Sequence, residues 1–356
     1  MRCRLTEDAS SGSGPRPNGM TEDDLEDLLA EPTVDLIDAF RRIEGDILVL
    51  GVSGKMGPSL ARLALNATAA AGRHRRVIGV ARFGDPAVRD ALDAHGITTV
   101  GCDLLDRRAL DALPDAPNVI FMAGRKFGTT GDQPATWATN AYLAGLVAER
   151  FAQARIVVFS TGNVYPLVSI HGDGPTESDL VGPVGEYAQA ALARERIFEF
   201  FSRRNDTPMA VLRLNYAVEP RYGVLRDVAD QVYAGRPVDL SMGYANVIWQ
   251  RDANAIALRM LEHCASPPLV LNVTGRPALS IRSVAQEFGR QFGREPLLFG
   301  VERGTALLSN AARCEAMFGV ASTGVDAMIK HVAAWVEAGG RSLNRPTHFT
   351  QRDGAF

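Results

Sequence analysis

The feature that most limits the fold is a repeated alternation of short apolar runs with helical segments between residues 46 and 165. The runs are rich in β-branched and aromatic residues; they are DILVLGV, RVIGVARF, TTVGCDLL, NVIFMAG and ARIVVFSTGNVY. A stretch that suits a helix follows each run, such as the alanine-rich SLARLALNATAAAG. Strands that are apolar throughout and alternate with helices are typical of a parallel sheet covered on both faces. The pattern therefore predicts a doubly wound α/β fold.

A glycine-rich turn joins the first run to its helix. The sequence GVSGKMG places Gly51, Gly54 and Gly57 three residues apart. A tight turn of this kind lets backbone N–H groups and the helix N-terminus face a pyrophosphate with no side chain in the way. Because a strand precedes it and a helix and a second strand follow, the turn is interpreted as a dinucleotide-binding site. The turn residues expected to contact the dinucleotide are Gly51, Ser53, Gly54, Lys55, Met56 and Gly57.

The ends of the second and third runs bear on the identity of the cofactor. An NAD-binding domain usually has an acidic residue at the end of its second strand, where this chain has Ala81 followed by Arg82. A guanidinium pairs well with phosphate oxygens, so Arg82 favours NADP over NAD; the alternative is a solvated residue at a strand end. Asp103, followed by Leu104, could accept a hydrogen bond from the adenine amino group or cap the next helix.

The pattern along the chain predicts five segments. Residues 1–19 are rich in Ser, Gly, Pro and charge and are expected to form a disordered tail. Residues 20–44 are expected to be a helical extension, and residues 45–212 to be the NAD(P)-binding Rossmann domain. Residues 213–343 are predicted to form a small α/β substrate lobe together with the last strands of the sheet. The polar residues 344–356 form a tail expected to wrap the surface.

Composition excludes several other classes of protein. The 356 residues carry a formal net charge of -3 and no basic run that predicts a nucleic-acid partner. No apolar stretch approaches the roughly 18 residues of a membrane span, and no signal peptide is evident, so a cytoplasmic protein is expected. The four cysteines and six histidines lack the spacing of metal ligands, so reduced thiols and no metal site are expected.

Together, these motifs resemble those of the extended short-chain dehydrogenase/reductases, the NAD(P)-dependent epimerase/dehydratase family, over residues 46–337. Besides the glycine turn, the matching pieces are Asp103 and Leu104, FMAG at 121–124, NAYLAG at 140–145, FSTGNVY at 159–165, Tyr187 and GREP at 293–296. The resemblance implies cofactor contacts from Ala123, Gly124 and Lys126 and a small carbohydrate-like substrate. Members of this family commonly dimerise through the helix that carries the tyrosine, so a homodimer is one alternative.

By this resemblance, Thr161 and Tyr187 are the pair that hydrogen-bonds the substrate hydroxyl while hydride passes to the nicotinamide. Proton removal and hydride departure occur at one carbon, so both side chains have to converge beside the ring. The alternatives are a tyrosine packed under a loop and a threonine bonded to the backbone at the end of its strand.

The sequence departs from the family four residues after Tyr187, where the family has a lysine and this chain has Ala191. In the family that lysine holds the nicotinamide ribose and lowers the pKa of the tyrosine, which is about 10 for a free phenol. Lys126 is the preferred replacement, because relatives of the UDP-galactose epimerase branch have a cofactor-contacting lysine after the fourth strand. Arg194, seven residues after Tyr187 on the same helical face, is interpreted as a surface charge. The third alternative is the positive charge of the oxidised nicotinamide.

Other departures concern the substrate. Gly162 and Asn163 follow Thr161 in place of the Asp-Glu pair of the family's dehydratases, so that type of elimination is not expected. The family's R-x-x-N-x-x-G-P becomes RLNYAVEP, in which the asparagine, Asn215, stands one position earlier than in the family. The substrate is therefore left open between a nucleotide sugar, a polyol, a sugar acid and a lactone. The residues interpreted as substrate contacts are Asn163, Asn215 and the loop residue His171, which is otherwise a surface histidine.

The sequence therefore predicts an NAD(P)-dependent oxidoreductase or epimerase that acts on a hydroxyl-bearing carbon of a sugar, sugar acid or related polyol. The alternative is a catalytically inactive NAD(P)-binding module that senses the redox state of the cofactor. Ala191 favours this alternative, whereas the retained Thr161 and Tyr187 argue against it.

Overall fold

The strands lie mainly in the first three quarters of the chain. The computed structural model describes residues 20–126, 131–345 and 347–355, so the predicted tail at residues 1–19 lies outside the described residues. The described strands are, in chain order, β1 Ile47–Leu50, β2 Val77–Ala81, β3 Thr98–Gly101, β4 Asn118–Phe121, β5 Arg155–Thr161, β6 Val168–Ser169, β7 Met209–Leu214, β8 Ala217–Val218, β9 Val238–Asp239, β10 Tyr244–Ala245, β11 Ile248–Trp249, β12 Leu269–Val273, β13 Leu279–Ser280, β14 Leu298–Phe299 and β15 Thr305–Ala306.

Helices connect these strands and flank the chain ends. They are α1 Glu22–Leu29, α2 Val34–Arg42, α3 Gly57–Ala70, α4 Pro86–Ala94, α5 Arg107–Asp111, α6 Gln133–Trp137, α7 Leu143–Arg150, α8 Gly185–Asn205, α9 Val224–Tyr233, α10 Gln250–Arg259, α11 Ile281–Phe292, α12 Ala312–Phe318 and α13 Val325–Glu337. A π-helical turn spans Ala138–Tyr142, and 3-10 turns span Gly162–Val164 and Met260–His263. In this described part of the chain, no helix combines the length and the apolar character that crossing a membrane requires.

The central element is a seven-stranded sheet in the order β12-β7-β5-β4-β1-β2-β3, with every neighbouring pair parallel. The chain runs outwards from β1 to β3 and then crosses back to β4, so the strand order reverses between β1 and β4. In open parallel sheets a ligand binds outside the carboxyl ends of the strands at this switch point. The predicted doubly wound sheet is confirmed, and its topology places the binding crevice beside the glycine turn.

Hydrophobic packing on both faces of the sheet explains why the strands are apolar throughout. Successive side chains of a strand point to opposite faces. Ile47 and Val49 accordingly pack against the face covered by α2, α3 and α10, whereas Leu48 and Leu50 pack against the face covered by α7 and α8. These side chains of β1 are fully buried, so the start of the glycine turn is rigidly anchored.

A second apolar core lies in the predicted substrate lobe, where α9, α11 and α13 pack together. Leu25 and Leu29 of α1 enter this core, whereas Leu36 and Phe40 of α2 enter the core of the sheet. Phe349, from the polar C-terminal tail, is also buried in the core of the lobe. The tail is thereby fixed to the lobe. The proposed division of the chain into five segments stays a prediction.

A buried ion pair fixes the long helix α8 against the carboxyl ends of β5 and β7. Arg213 donates to Glu195 through Nη2 at 2.7 Å, and both side chains are almost completely buried. Ser160 donates to the same carboxylate at 2.5 Å, and Arg213 also donates to the hydroxyl oxygen of Tyr165 at 2.7 Å. Buried charges persist only when they are paired and hydrogen-bonded, so this network holds one end of α8 in a defined position.

Candidate active site

The turn between β1 and α3 is built from glycines that have no room for a side chain. Gly51 has a φ of +91°, and a Cβ atom there would lie 2.7 Å from the backbone nitrogen of Ala123, which follows β4. A Cβ atom on Gly57, the first residue of α3, would collide with the carbonyl group of Val52. No side chain in the described part of the chain caps α3, and the N–H of its first residue, Gly57, donates to the carbonyl oxygen of Gly54 at 3.1 Å. An anion at this end is therefore favoured mainly by the positive end of the helix dipole.

Gly57→Ala is expected to weaken the binding of NAD or NADP by about tenfold or more, because the added methyl group pushes the turn away from α3. The dissociation constant, measured by titration of the reduced cofactor's fluorescence, checks this. Gly304→Ala is the matched control, since no heavy atom lies within 4 Å of a Cβ atom at that position. Equal affinities of the two variants would contradict a cofactor role of the turn.

A pocket of about 300 Å³ lies beside this turn, at the carboxyl ends of β1, β4, β5 and β7. The sequence-predicted residues that line it are Gly51, Gly54, Lys55, Met56, Gly57, Gly124, Lys126, Thr161, Asn163, Tyr187 and Asn215. Sequence reasoning missed Met122, Phe159, Ser160, Leu214, Tyr216, Ala217, Tyr222, Gly223, Leu307, Arg345 and Thr347. Six of these eleven, Met122, Phe159, Ser160, Leu214, Tyr216 and Ala217, lie at or just after the carboxyl ends of β4, β5 or β7, so the parallel topology could have indicated them.

Other predicted site residues do not line this pocket. They are Ser53, Arg82, Asp103, Leu104, Ala123 and His171. Arg82 is exposed just beyond β2, and His171 is exposed in its loop. The side chain of Leu104 is buried in the core of the sheet, away from the crevice. The alternative that Asp103 caps the next helix is wrong, because the carboxylate of Asp106 caps α5.

The two hydroxyl side chains singled out by the sequence meet in the pocket. Thr161 ends β5 and Tyr187 lies in the first turn of α8, and both side chains line the pocket. Burial raises the pKa of the Tyr187 phenol, whereas the charge of Arg194 and the nearby Thr161 hydroxyl oppose that rise. With these residues alone the phenol is neutral near pH 7, so it can donate a proton and needs further positive charge to accept one readily.

Arg194 is not a surface charge, and that interpretation was wrong. Its side chain is only 5% exposed. Its guanidinium donates to the carbonyl oxygen of Phe159 at 2.8 Å, to that of Asn140 at 3.1 Å, and to the side-chain oxygen of Asn140. A Cβ atom on the pocket residue Gly124 would lie 2.7 Å from the same guanidinium. Arg194 therefore lies directly behind the pocket wall and is bonded to β5, the strand that ends at Thr161.

The site of the missing lysine is filled by apolar packing. Ala191 is fully buried and forms a small cluster with Val164, the last residue of the 3-10 turn after Thr161, and with Tyr165, which follows that turn. A lysine at Ala191 would need to displace these side chains, so the positive charge beside Tyr187 has to come from elsewhere on the chain.

Asn140, which positions Arg194, lies in the π-helical turn between α6 and α7. Its side-chain oxygen accepts from the backbone nitrogen of Arg125 at 3.0 Å, and its amide nitrogen donates to the carbonyl oxygen of Arg125 at 2.8 Å. These bonds tie the segment after β4 to the turn that holds the guanidinium. Local π-helical geometry occurs often at functional sites because it turns a side chain out of regular helical register.

Two of the chain's three lysines lie in the pocket. Lys55 donates to the carbonyl oxygen of Ala217 at 2.6 Å and lies 4.1 Å from the ring centroid of Tyr222. Lys126 lies 5.7 Å from the ring centroid of Tyr216. Burial lowers the pKa of Lys55 to about 7 and that of Lys126 to about 8. Both amines are thus poised to change charge near neutral pH.

Asn215 has a donor with no partner among the described residues. Its side-chain oxygen accepts from Ser309 at 3.1 Å, but its buried amide nitrogen has no such bond. A Cβ atom on Gly162 would collide with this amide, so only glycine fits there. A buried unpaired donor is costly, and one that lines a pocket suits an acceptor on a bound molecule. The glycine turn thus suits the pyrophosphate of a nicotinamide dinucleotide, and the Asn215 donor suits an acceptor such as its carboxamide oxygen.

The fold and the site define an α/β protein of the Rossmann class with a nucleotide crevice and a tyrosine–threonine pair. A family model for the NAD dependent epimerase/dehydratase family matches residues 47–273. The chain belongs to this family, and the predicted resemblance and the predicted nicotinamide dinucleotide cofactor are confirmed. Among curated proteins, none gives a match.

Solved structures of two epimerases and of a third protein, Pal, share the fold. UDP-glucuronic acid 4-epimerase from Bacillus cereus in complex with NAD is 16% identical with a TM-score of 0.69, and the match covers 82% of this chain and 99% of that one. UDP-glucose 4-epimerase from Thermotoga maritima with UDP-glucose is 15% identical with a TM-score of 0.67, covering 83% and 99%. Pal from Bacillus thuringiensis is 15% identical with a TM-score of 0.69, covering 82% and 99%.

Proposed function

We propose that this protein is an NAD(P)-dependent epimerase or oxidoreductase that acts on a hydroxyl-bearing carbon of a sugar or sugar acid. The observation that carries the proposal is the convergence of the Thr161 and Tyr187 side chains in the pocket that the glycine turn lines. The fold's similarity to epimerases of UDP-glucose and UDP-glucuronic acid supports a carbohydrate substrate.

In one reversible oxidation, residues of the chain position the substrate hydroxyl and transfer its proton. A bound nicotinamide would supply the acceptor and donor of hydride for the reacting carbon. Thr161 and Tyr187 both bond the substrate hydroxyl, which holds its oxygen in one place. In the oxidative direction the Tyr187 oxygen takes the hydroxyl proton as a phenolate, and in the reductive direction the neutral phenol gives the proton back. Release of the ketone makes the protein a dehydrogenase, and return of hydride to the opposite face makes it an epimerase.

We further propose that Arg194 takes the electrostatic part of the missing lysine's role. Arg194 is the cation that lowers the pKa of Tyr187, which opposes the effect of burial. Its carbonyl partners, Asn140 and Phe159, prevent it from moving away. Lys126, the replacement favoured by the sequence, lies by the ring of Tyr216, and the acid that most affects its pKa is Asp227. Lys126 thus suits contact with a ligand better than it suits activation of Tyr187.

Incubation of the protein with NAD or NADP and a panel of sugars, sugar acids and UDP-sugars tests the proposed function. We expect a change in nicotinamide absorbance at 340 nm for a dehydrogenase. For an epimerase we expect conversion between two epimers, resolved by chromatography, with no net change in absorbance. Tight cofactor binding without turnover of any panel member would support the redox-sensing alternative instead.

A further inference from the structure

The wall of the pocket is strongly cationic. Its described lining includes Lys55, Lys126 and Arg345 but no aspartate or glutamate. The charged groups around the two lysines are the acids Glu219 and Asp227 and the cation Arg221. Glu219 is already engaged, because it pairs with Arg221 at 3.1 Å, and both side chains are buried. The acids nearby thus leave an excess of positive charge on the pocket surface.

The ammonium group of Lys55 is held on the far side of the crevice from its own backbone. It bonds to Ala217 and lies over the ring of Tyr222, and both of these residues belong to the segment after β7. No carboxylate of the described residues lies within 4 Å of this nitrogen. A buried ammonium whose partners are a carbonyl and a ring retains donors for an anion.

The C-terminal tail supplies the third cation. Thr347 donates to Asp227 of α9 through its backbone nitrogen at 2.9 Å and its hydroxyl at 2.6 Å. Arg352 donates to the carbonyl oxygen of Thr305 at 2.9 Å, and Gly354 packs on Gly185 at the start of α8. The tail thereby runs from the lobe to the helix that carries Tyr187. Arg345, which lines the pocket, makes no ion pair with the other described residues.

We propose that Lys55, Lys126 and Arg345 form a binding site for an anionic group of the substrate, so that the preferred substrate is a sugar acid whose carboxylate lies across the pocket from the glycine turn. This inference rests on the proposed function, because it assigns the substrate of the same pocket. The carboxylate is recognised by charge-assisted hydrogen bonds from the two ammonium groups and the guanidinium. Tyr216 and Tyr222 form the apolar wall beside it.

The two amines should also make the affinity for an acidic ligand fall as the pH rises. Glu219 and Asp227 raise the pKa of Lys55, whereas burial, Arg221 and Lys126 lower it to about 7. Burial lowers the pKa of Lys126 to about 8, against the effect of Asp227. Both amines are therefore mostly protonated near pH 6 and mostly neutral near pH 9. Affinity for an acid should be highest near pH 6 and fall as the pH rises to 9, with Arg345 supplying the residual attraction.

Calorimetric titration of the full chain loaded with NAD tests the site without requiring turnover. The probes are two matched pairs, UDP-glucuronic acid with UDP-glucose and D-glucuronate with D-glucose. We expect the acid of at least one pair to bind about tenfold or more tightly than its neutral partner at pH 6. Lys55→Met and Arg345→Gln should each reduce this preference severalfold. Lys330→Met, which removes the exposed lysine of α13, is the matched control and should leave it unchanged.

The cofactor affinity of the same variants shows which anion Lys55 binds, the carboxylate of the substrate or the phosphates of the cofactor. If Lys55 instead binds the phosphates of the cofactor, Lys55→Met should bind NAD more weakly but still prefer the acid to the neutral sugar. That result would overturn the proposal. Equal affinity for the acid and the neutral sugar in both pairs, including no binding of either, also overturns it. Because only binding is measured, these outcomes are independent of whether Tyr187 supports turnover.

Discussion

Tyr187→Phe is expected to lower kcat by about 10²–10⁴-fold, the range that a positioned proton donor or acceptor contributes. The variant removes a single oxygen, which lies near the Thr161 hydroxyl and belongs to a residue that lines the pocket. The ring and its packing are retained, so the affinity for NAD and the melting temperature should stay close to those of the parent protein. Initial rates with a substrate found in the panel, measured together with cofactor titrations, check this expectation.

Two comparisons make the Tyr187 result specific. Tyr233→Phe, on α9 and outside the pocket, removes the same oxygen and should leave kcat within about twofold. Thr161→Val should also lower kcat, but the double variant should cost much less than the product of the two single losses, because the pair acts as a unit. A Tyr187→Phe protein as active as its parent would remove the proposed mechanism and leave only the cofactor site.

The sequence alone predicts the sheet well because each strand carries its own local signal. The run DILVLGV contains β1, and NVIFMAG contains β4, and both are apolar because both faces of the sheet are covered. The glycine turn is equally local. Tyr187 and Thr161 are 26 positions apart in sequence, and the resemblance to a family, rather than periodicity, predicted that they meet.

The residues that sequence reasoning missed depend on contacts between distant parts of the chain. Arg345 reaches the pocket only because Phe349 and Arg352 fix the tail to the lobe, and no local pattern encodes that path. Arg194 was placed on the correct helical face, but arginine is mostly exposed in proteins, and its burial depends on the π-helical turn around Asn140. Side chains on a helix point back towards its N-terminus, which brings the guanidinium nearer to Tyr187 than the spacing of seven residues suggests.

Arg194→Met is expected to slow oxidation at neutral pH by about tenfold or more, the order expected when one buried charge beside a proton acceptor is lost. The positive charge of Arg194 lowers the pKa of Tyr187, so its removal raises that pKa. In the oxidative direction the reactive form is the phenolate, whose fraction rises as the pH passes through the pKa. The rising limb of the kcat profile for oxidation should therefore move to higher pH. In the reductive direction the neutral phenol is the reactive form, so activity should persist to higher pH than in the parent.

This opposite response of the two directions separates an electrostatic role of Arg194 from a structural one. Arg194→Met also leaves the carbonyl groups of Asn140 and Phe159 short of a donor, at a cost of about 1–3 kcal/mol each in the free energy of unfolding. A purely structural defect lowers both rates and the melting temperature but does not move the pH limb. Arg194→Lys keeps the charge and should keep the limb near its original position. If Lys126→Met moves the limb and Arg194→Met does not, Lys126 is the group that replaces the family lysine, and the guanidinium serves only to hold α8 against the strand that carries Thr161.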